Sequence, residues 1–484
     1  MTNTVLPQQD TASKVGHIPT SALADLSFRL QRAGQETRSG NGWLSTLAVI
    51  AMTVSTWLAL VVAGGTMMFY RRSLVPPPPL PENPTPQDYA MQDNGDLYLQ
   101  LAFIACVFVV PAMMGLVAQS AVLGAAGREG RLATLRLIGL SNGAVTRMTL
   151  VEILIQAGIG IAFGTVLSVS TAPFWALVSF DNDYLGTWDM LLPWWGYPAV
   201  WAIVLVLALA AALVGLKRVL VSPLGVSRRE IPGAVKRWRL VVFIVLFVVT
   251  VVFINSLDVK SINVAATAYA AFAMLVIFSA VNIVAPFIVQ LVARLSAPLG
   301  TASDFVATRR VATNAKESWR RVSAMTFLSL LLGYIAVIPK LEMAEDLIGA
   351  TFANDIVVGI IITFIIGFTL LMVSTVLTQA SAVYEQAALT KALDYIGAPV
   401  AFHRRAAFKQ TFFPLFFTSF LAFLMGCFFG LILFGSAAEA NPVSSRTVLV
   451  VSGYILAVIL VGVATLAVDP LRRKLLNRQV RRND

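Results

Sequence analysis

The chain has 484 residues, of which 57% are hydrophobic and 13% charged, with a formal charge of +11 and a mean hydropathy of +0.78. That much apolar surface excludes an ordinary soluble domain, and the lack of apolar–polar alternation excludes a closed β-barrel. The composition instead predicts an all-α polytopic membrane protein.

A hydrocarbon core of about 30 Å needs roughly 20 apolar residues per helix. Ten such spans are predicted, at 43–70, 99–123, 149–180, 194–216, 240–256, 262–292, 323–341, 355–378, 411–434 and 447–468. Residues 1–42 form a polar cytoplasmic tail with no apolar h-region, so the first span is expected to act as an uncleaved signal-anchor. Within that tail, DLSFRLQRA from Asp25 has the pattern of an amphipathic elbow helix lying along the inner headgroups.

Residues 43–218 then form a first module of four helices. Its first outer loop contains VPPPPLPENPTP, residues 75–86, which favours a stiff extended spacer. Between its second and third spans lies a charged segment, EGRLATLRLIG at 129–139. Residues 219–293 supply a cytoplasmic linker and a central helix pair. A second four-helix module follows at 294–470, preceded by another elbow helix, DFVATRRVA from Asp304, and the basic tail 471–484 closes the chain.

The second module has its own connecting segment, EQAALTKALDYIG at 385–397. Setting Ile138-Gly139 on Ile396-Gly397 gives a repeat of 258 residues that puts Leu135 on Leu393 and Glu152 on Gln410. Parallel repeats of this kind are related by an axis along the membrane normal. Gly158, Gly160 and Gly164 in the third span fit close helix approach.

With both termini in the cytosol, only Arg71, Arg72, Lys260, Lys340 and Arg446 fall outside, and the other 31 of 36 basic residues fall inside. The positive-inside rule therefore sets the orientation and accounts for the net charge without nucleic acid. Acidic residues gather in the outer loops at Asp88, Asp93, Asp96, Asp181, Asp183, Asp189, Glu342, Glu345 and Asp346.

No catalytic or metal-binding group emerges. Cys106 and Cys427 lie inside spans as small packing residues, and His17 and His403 are far apart and lack companion ligands. No phosphate-binding G-x-x-x-x-G-K-[ST] loop occurs, so the chain is not expected to bind ATP by the usual glycine cradle and lysine, and energy is expected to come from elsewhere. Ionisable residues are scarce within the spans, which argues against ion coupling.

The stretch EGRLATLRLIGLSNGAVTRMTLVEILIQAGIGIAFG, from Glu129 to Gly164, resembles the signature of FtsX-like permeases, the membrane subunits of type VII ABC transporters. The features that carry the resemblance are Glu129, Leu132, Ala133, Leu135, Arg136, Ile138, Gly139, Glu152 and Gly164. The second copy keeps Glu385, Ala388, Leu393, Ile396 and Gly397, with Asp394 and Gln410 in place of Arg136 and Glu152. The layout of ten spans is similar to the bacitracin-exporter branch, but only residues 342–354 join the seventh and eighth spans, leaving no large extracellular domain.

The resemblance implies a multi-pass protein of the bacterial plasma membrane that is not itself an enzyme and is driven by an ABC ATPase, expected as a homodimer holding MgATP. The expected coupling residues are Glu129, Arg131, Leu132, Leu135, Arg136, Ile138 and Gly139 in the first segment and Glu385, Leu393, Ile396 and Gly397 in the second. Glu152, Gly158 and Gly164 are the expected working residues of the third span. The implied activity is export or extraction of an amphipathic substrate (lipid, peptide antibiotic or drug) at the outer leaflet by mechanotransmission. Two other readings stand beside it: a signalling subunit that activates an extracytoplasmic partner, and an ion-coupled secondary transporter. Membrane lipid is a partner under every reading, because Arg128, Arg131 and Arg136 suit anionic headgroups.

Overall fold

The computed structural model describes residues 41–75, 94–126, 141–180, 183–220, 237–256, 264–296, 302–337, 347–385, 392, 395–397, 400–434 and 444–468. In chain order the helices are α1 (Asn41–Ser73), α2 (Asn94–Ala126), α3 (Asn142–Trp175), α4 (Gly196–Leu220), α5 (Trp238–Ser256), α6 (Val264–Ser296), α7 (Ala302–Thr313), α8 (Ala315–Val337), α9 (Leu347–Glu385), α10 (Val400–Phe434) and α11 (Ser444–Ala467). Among the described residues, strand pairing is confined to β1 (Ser179–Phe180) and β2 (Asp183–Tyr184), a two-rung antiparallel ladder in the α3–α4 connection. The protein is all-α and polytopic. Among the described residues, eight helices are long and apolar enough to cross a membrane, and α2 and α5 carry the shorter apolar stretches Val109–Ala121 and Trp238–Phe253. The first elbow segment, the proline-rich residues 76–86 and the basic tail lie outside the described residues.

Helices are the form these sequences must take, because in hydrocarbon each N–H and C=O needs a partner within its own segment. Embedded hydroxyls obey the same constraint. Thr53 donates to Val49 O at 2.9 Å and Thr165 to Ile161 O at 2.8 Å, one turn back along their own helices.

Two sets of four helices pack in the same way. The first helix is central in each: α1 lies against α2, α3 and α4, and α8 against α9, α10 and α11. In both sets the crossing of the first and third helices is made by a G-x-x-x-G pair. A Cβ added at Gly160 would stand 2.4 Å from Met52 Cβ, and one at Gly164 would stand 2.7 Å from Thr53 O. In the second set, Gly426 would bring a Cβ to 2.1 Å from Leu330 O and Gly430 to 3.3 Å from Tyr334 O. From α8, Gly333 approaches α10 equally closely, 2.1 Å from Phe423 O.

Gly158 corrects an expectation. It is exposed, and an added Cβ would meet nothing within 4 Å. At 3.6 residues per turn, a position two residues from Gly160 points away from α1.

The central pair and the elbow join the two sets. α5 rests on α6, and α6 touches α2 of the first set as well as α8 and α10 of the second. Helix α7, expected from Asp304 onward, buries Ala307, Val311 and Ala312 against α6 and α10. Its Phe305 is exposed, with Arg309 stacked over the ring at 5.3 Å.

Replacement of Gly164 or Gly426 by Ala is expected to force the crossing helices apart, at the overpacking cost of about 1–3 kcal/mol. Gly158→Ala is expected to be neutral or stabilising by up to about 1 kcal/mol through helix propensity. Thermal melts followed by fluorescence-detected size exclusion in mild detergent separate these outcomes; equal midpoints for all three would refute the crossing's role.

Candidate functional site

Both sets turn from second to third helix at the same end of the bundle, here termed the coupling end. In the first set α2 stops at Ala126 and α3 opens at Asn142; in the second α9 stops at Glu385 and α10 opens at Val400. Ser141 caps α3, its Oγ accepting the Ala144 N–H at 3.2 Å, which supplies a partner for one of the unpaired donors of the first turn.

Of the residues singled out from sequence, Glu129, Arg131, Leu132, Leu135, Arg136, Ile138, Gly139 and Leu393 lie outside the described residues. Glu385 is the last residue of α9. Beyond Glu385, the described residues of the second segment are Ala392, Tyr395, Ile396 and Gly397. Gly397 has φ +86°, a left-handed conformation costing an L-residue roughly 1–2 kcal/mol. On this turn Tyr395 is 72% exposed and Ile396 82% exposed. Two large side chains, one aliphatic and one aromatic, held outward by a glycine turn form a surface suited to a partner's groove.

Behind the coupling end, α3 carries a row at four-residue spacing, Glu152, Gln156, Gly160 and Gly164. Glu152 is only 2% exposed. Gln156 Nε2 donates to Ser45 Oγ of α1 at 2.8 Å, and farther along Trp57 Nε1 donates to Thr171 Oγ1 at 3.0 Å. The row therefore runs from polar contacts into glycine packing and holds α3 on α1 along much of its length.

The second set is built in a different register. The G-x-x-x-G pair begins 18 residues after the start of α3 but 26 residues after the start of α10. The eight extra residues amount to about 12 Å of helix. In this packing register Glu152 corresponds to Thr418, which meets Thr326 of α8 at 2.9 Å, rather than to Gln410. The 258-residue repeat aligns the coupling segments, and the extra two turns of α10 shift everything beyond them.

Those turns have their own attachments. Arg404 and Arg405 are exposed. Lys409 forms an ion pair with Asp304 of α7 and donates to Ser303 Oγ at 3.2 Å. Helix α7 is bound in turn to α6, through Gln290 Nε2 donating to Ala312 O at 3.0 Å. Buried Gln410 precedes Thr411, whose Oγ1 accepts from Gln379 Nε2 of α9 at 2.8 Å.

The two sets meet along α2 and α9, which run parallel. Gln119 Oε1 accepts from Ser374 Oγ at 3.1 Å toward the coupling end. At the opposite end Tyr98 Oη donates to Asp355 Oδ2, with Asp355 3% exposed. These pairs lie 255 and 257 residues apart, close to the repeat length, as expected for positions facing each other across a two-fold axis along the helices. Tyr98 stacks on Phe69 at 5.9 Å between ring centroids, and Phe180 of β1 meets Phe69 edge-on at 5.3 Å.

Sequence reasoning missed Asp355, the first residue of the predicted span 355–378. Its signal was its distance from Tyr98, which nearly equals the repeat. Among the described residues no group of three His, Cys, Asp or Glu side chains is placed to hold a metal.

Residues 102–224, running from α2 through α4 and including the first coupling segment, match the model of the FtsX-like permease C-terminal family. The match supports membership of the FtsX-like permease family. No curated protein matches the chain.

Tyr98→Phe is expected to remove the donor to a buried carboxylate and to lower stability by about 1–3 kcal/mol. Phe69→Leu, which keeps that hydrogen bond, should cost less. Detergent melts of the two variants check the ranking, and a Tyr98→Phe midpoint equal to wild type would refute it.

Proposed function

We propose that this FtsX-like permease is the membrane subunit of an ABC transporter, driven by a separate ATPase, and that it exports or extracts an amphipathic or hydrophobic substrate at the outer leaflet by mechanotransmission. The family pairs with an ABC ATPase. The observation that carries the proposal within this chain is the exposed Tyr395–Ile396 pair on the left-handed Gly397 turn.

The proposal takes all ten predicted spans as crossing the membrane, with both termini and the coupling end in the cytosol, as the basic residues favour. Two four-helix modules, 43–218 and 294–470, flank the central pair. An ATPase homodimer holding MgATP grips both coupling segments, and its closure displaces the starts of α3 and α10. Because α3 and α10 are joined backbone-close to α1 and α8, displacement at the coupling end moves each helix pair as one body. Force on α10 also reaches α7 through Lys409–Asp304 and α6 through Gln290.

A second reading, activation of an extracytoplasmic partner, is favoured by the α3–α4 connection. It exposes Tyr184, Trp188 and Trp194 while Met190 O packs against Gly64 of α1. An outer partner bound there would sense α1 directly.

Purification of the tagged chain from its native membranes in mild detergent should bring down a stoichiometric ATP-binding-cassette subunit. Ile396→Asp, and separately the pair Gly139→Pro with Gly397→Pro, should lose that subunit while eluting as folded monodisperse protein. If no ATPase co-elutes under conditions that preserve other ABC complexes, the docking assignment is wrong.

A further inference from the structure

The first set contains a cavity of about 430 Å³ between α1, α2 and α4, in the half of the bundle away from the coupling end. The volume is within the range of small-molecule sites, about 300–1,000 Å³. Along α1 it runs from Ser55 to Tyr70, about 22 Å at 1.5 Å per residue. That exceeds the share of one leaflet, about 15 Å of a core about 30 Å thick. Nineteen residues line it and none is charged, so it suits a hydrocarbon tail and would penalise a charged head in its interior.

The cavity opens sideways: of its wall residues, Phe103 and Met114 of α2 and Ile203 of α4 are exposed on the bundle's surface. In a bilayer that surface is hydrocarbon. Among the described residues of the second set, α8, α9 and α11 close on a core in which Leu332, Ile335, Phe364, Leu371, Val450 and Ala457 are all buried. In the first set the near half is equally closed, with Ala208 and Ala212 of α4 buried beside Met52 and Val117. Beyond it α2 carries Pro111 next to the wall residue Val110, and the α3–α4 connection is propped on α1 at Gly64.

At the outer mouth, Tyr70 is followed by exposed Arg71, and Arg72 donates to Phe180 O at 3.4 Å. A guanidinium beside an apolar slot complements a phosphate headgroup whose tail occupies the slot.

We infer that this groove seats one acyl chain of an outer-leaflet glycerophospholipid, with its phosphate at Arg71, and that such a membrane amphiphile is the substrate class of the transporter. The substrate role rests on the transporter reading above; the lipid site itself does not.

The test uses the purified full-length chain in vesicles of phosphatidylethanolamine and phosphatidylglycerol, with a trace of phosphatidylglycerol bearing a diazirine at one acyl terminus. After photolysis, labelled peptides are mapped by mass spectrometry. Labelling of 55–70 and 103–117 should exceed that of the exposed face of α5, at Val241, Val248 and Val252, by about tenfold, equivalent to about 1.4 kcal/mol of preference. Ala63→Phe fills the groove from α1, and Val110→Trp fills it from its exposed rim, where bulk is tolerated if the first variant fails to fold. Either folded variant should bring groove labelling down to the α5 level.

Equal labelling of the groove and α5, or unchanged labelling in a folded filling variant, would each overturn the site. Because no ATPase is present, groove labelling combined with failed ATPase co-purification would keep the lipid site and remove only the transporter reading.

Discussion

The structure depends on two helix crossings in which backbone meets backbone. Lipid tails are as apolar as leucine, so the hydrophobic effect does little to hold one embedded helix against another, and van der Waals contact at close range must do it instead. Gly160 and Gly164 bring α3 onto α1, and Gly333, Gly426 and Gly430 bring α8 and α10 together. The polar links beside them, Gln156 to Ser45, Trp57 to Thr171 and Thr326 to Thr418, add about 0.6 kcal/mol apiece on average in membranes. They act more as register pins than as the source of cohesion. With α1 and α8 fixed at the centres of their sets, every other helix is positioned by what it packs on.

Duplication does not make the two crossings equivalent. The start of α10 lies about 12 Å farther from its glycine crossing than the start of α3 does from its own. The added turns are anchored to α7 and, through it, to α6. Under the proposed function, motion entering at Gly397 would be shared with the central helix pair, because α6 touches α2 as well as α8 and α10. On the first side, Ser141 starts α3 directly after the coupling segment. Two equal pushes from a symmetric partner would thus meet unequal levers, and the seam between α2 and α9 is where the difference must be absorbed.

Some of this was plain in the residues. Each of the ten predicted apolar runs overlaps a helix, because run length and hydropathy are local properties. The elbow from Asp304 was legible from its alternating charged and apolar faces. The second G-x-x-x-G pair, Gly426 and Gly430, was equally visible but went unread, because the repeat was aligned on Ile396-Gly397, upstream of the two extra turns. Gly158 was misread for a related reason: a glycine shows that close approach is permitted, while the direction it faces depends on where the neighbouring helix lies. Asp355 was hidden because a carboxylate at the start of a span resembles any solvated loop acid until Tyr98 is placed opposite.

The sequence by itself determined that the chain is helical and membrane-embedded, and it determined the repeat, because hydrocarbon leaves unpaired backbone no other solution and each segment meets that demand alone. Which faces meet was decided only by the tertiary structure: the offset between the two third helices, the facing of Tyr98 and Asp355, and the groove between α1, α2 and α4. These are relations between segments distant along the chain, and no local period or composition encodes the distance between two helices.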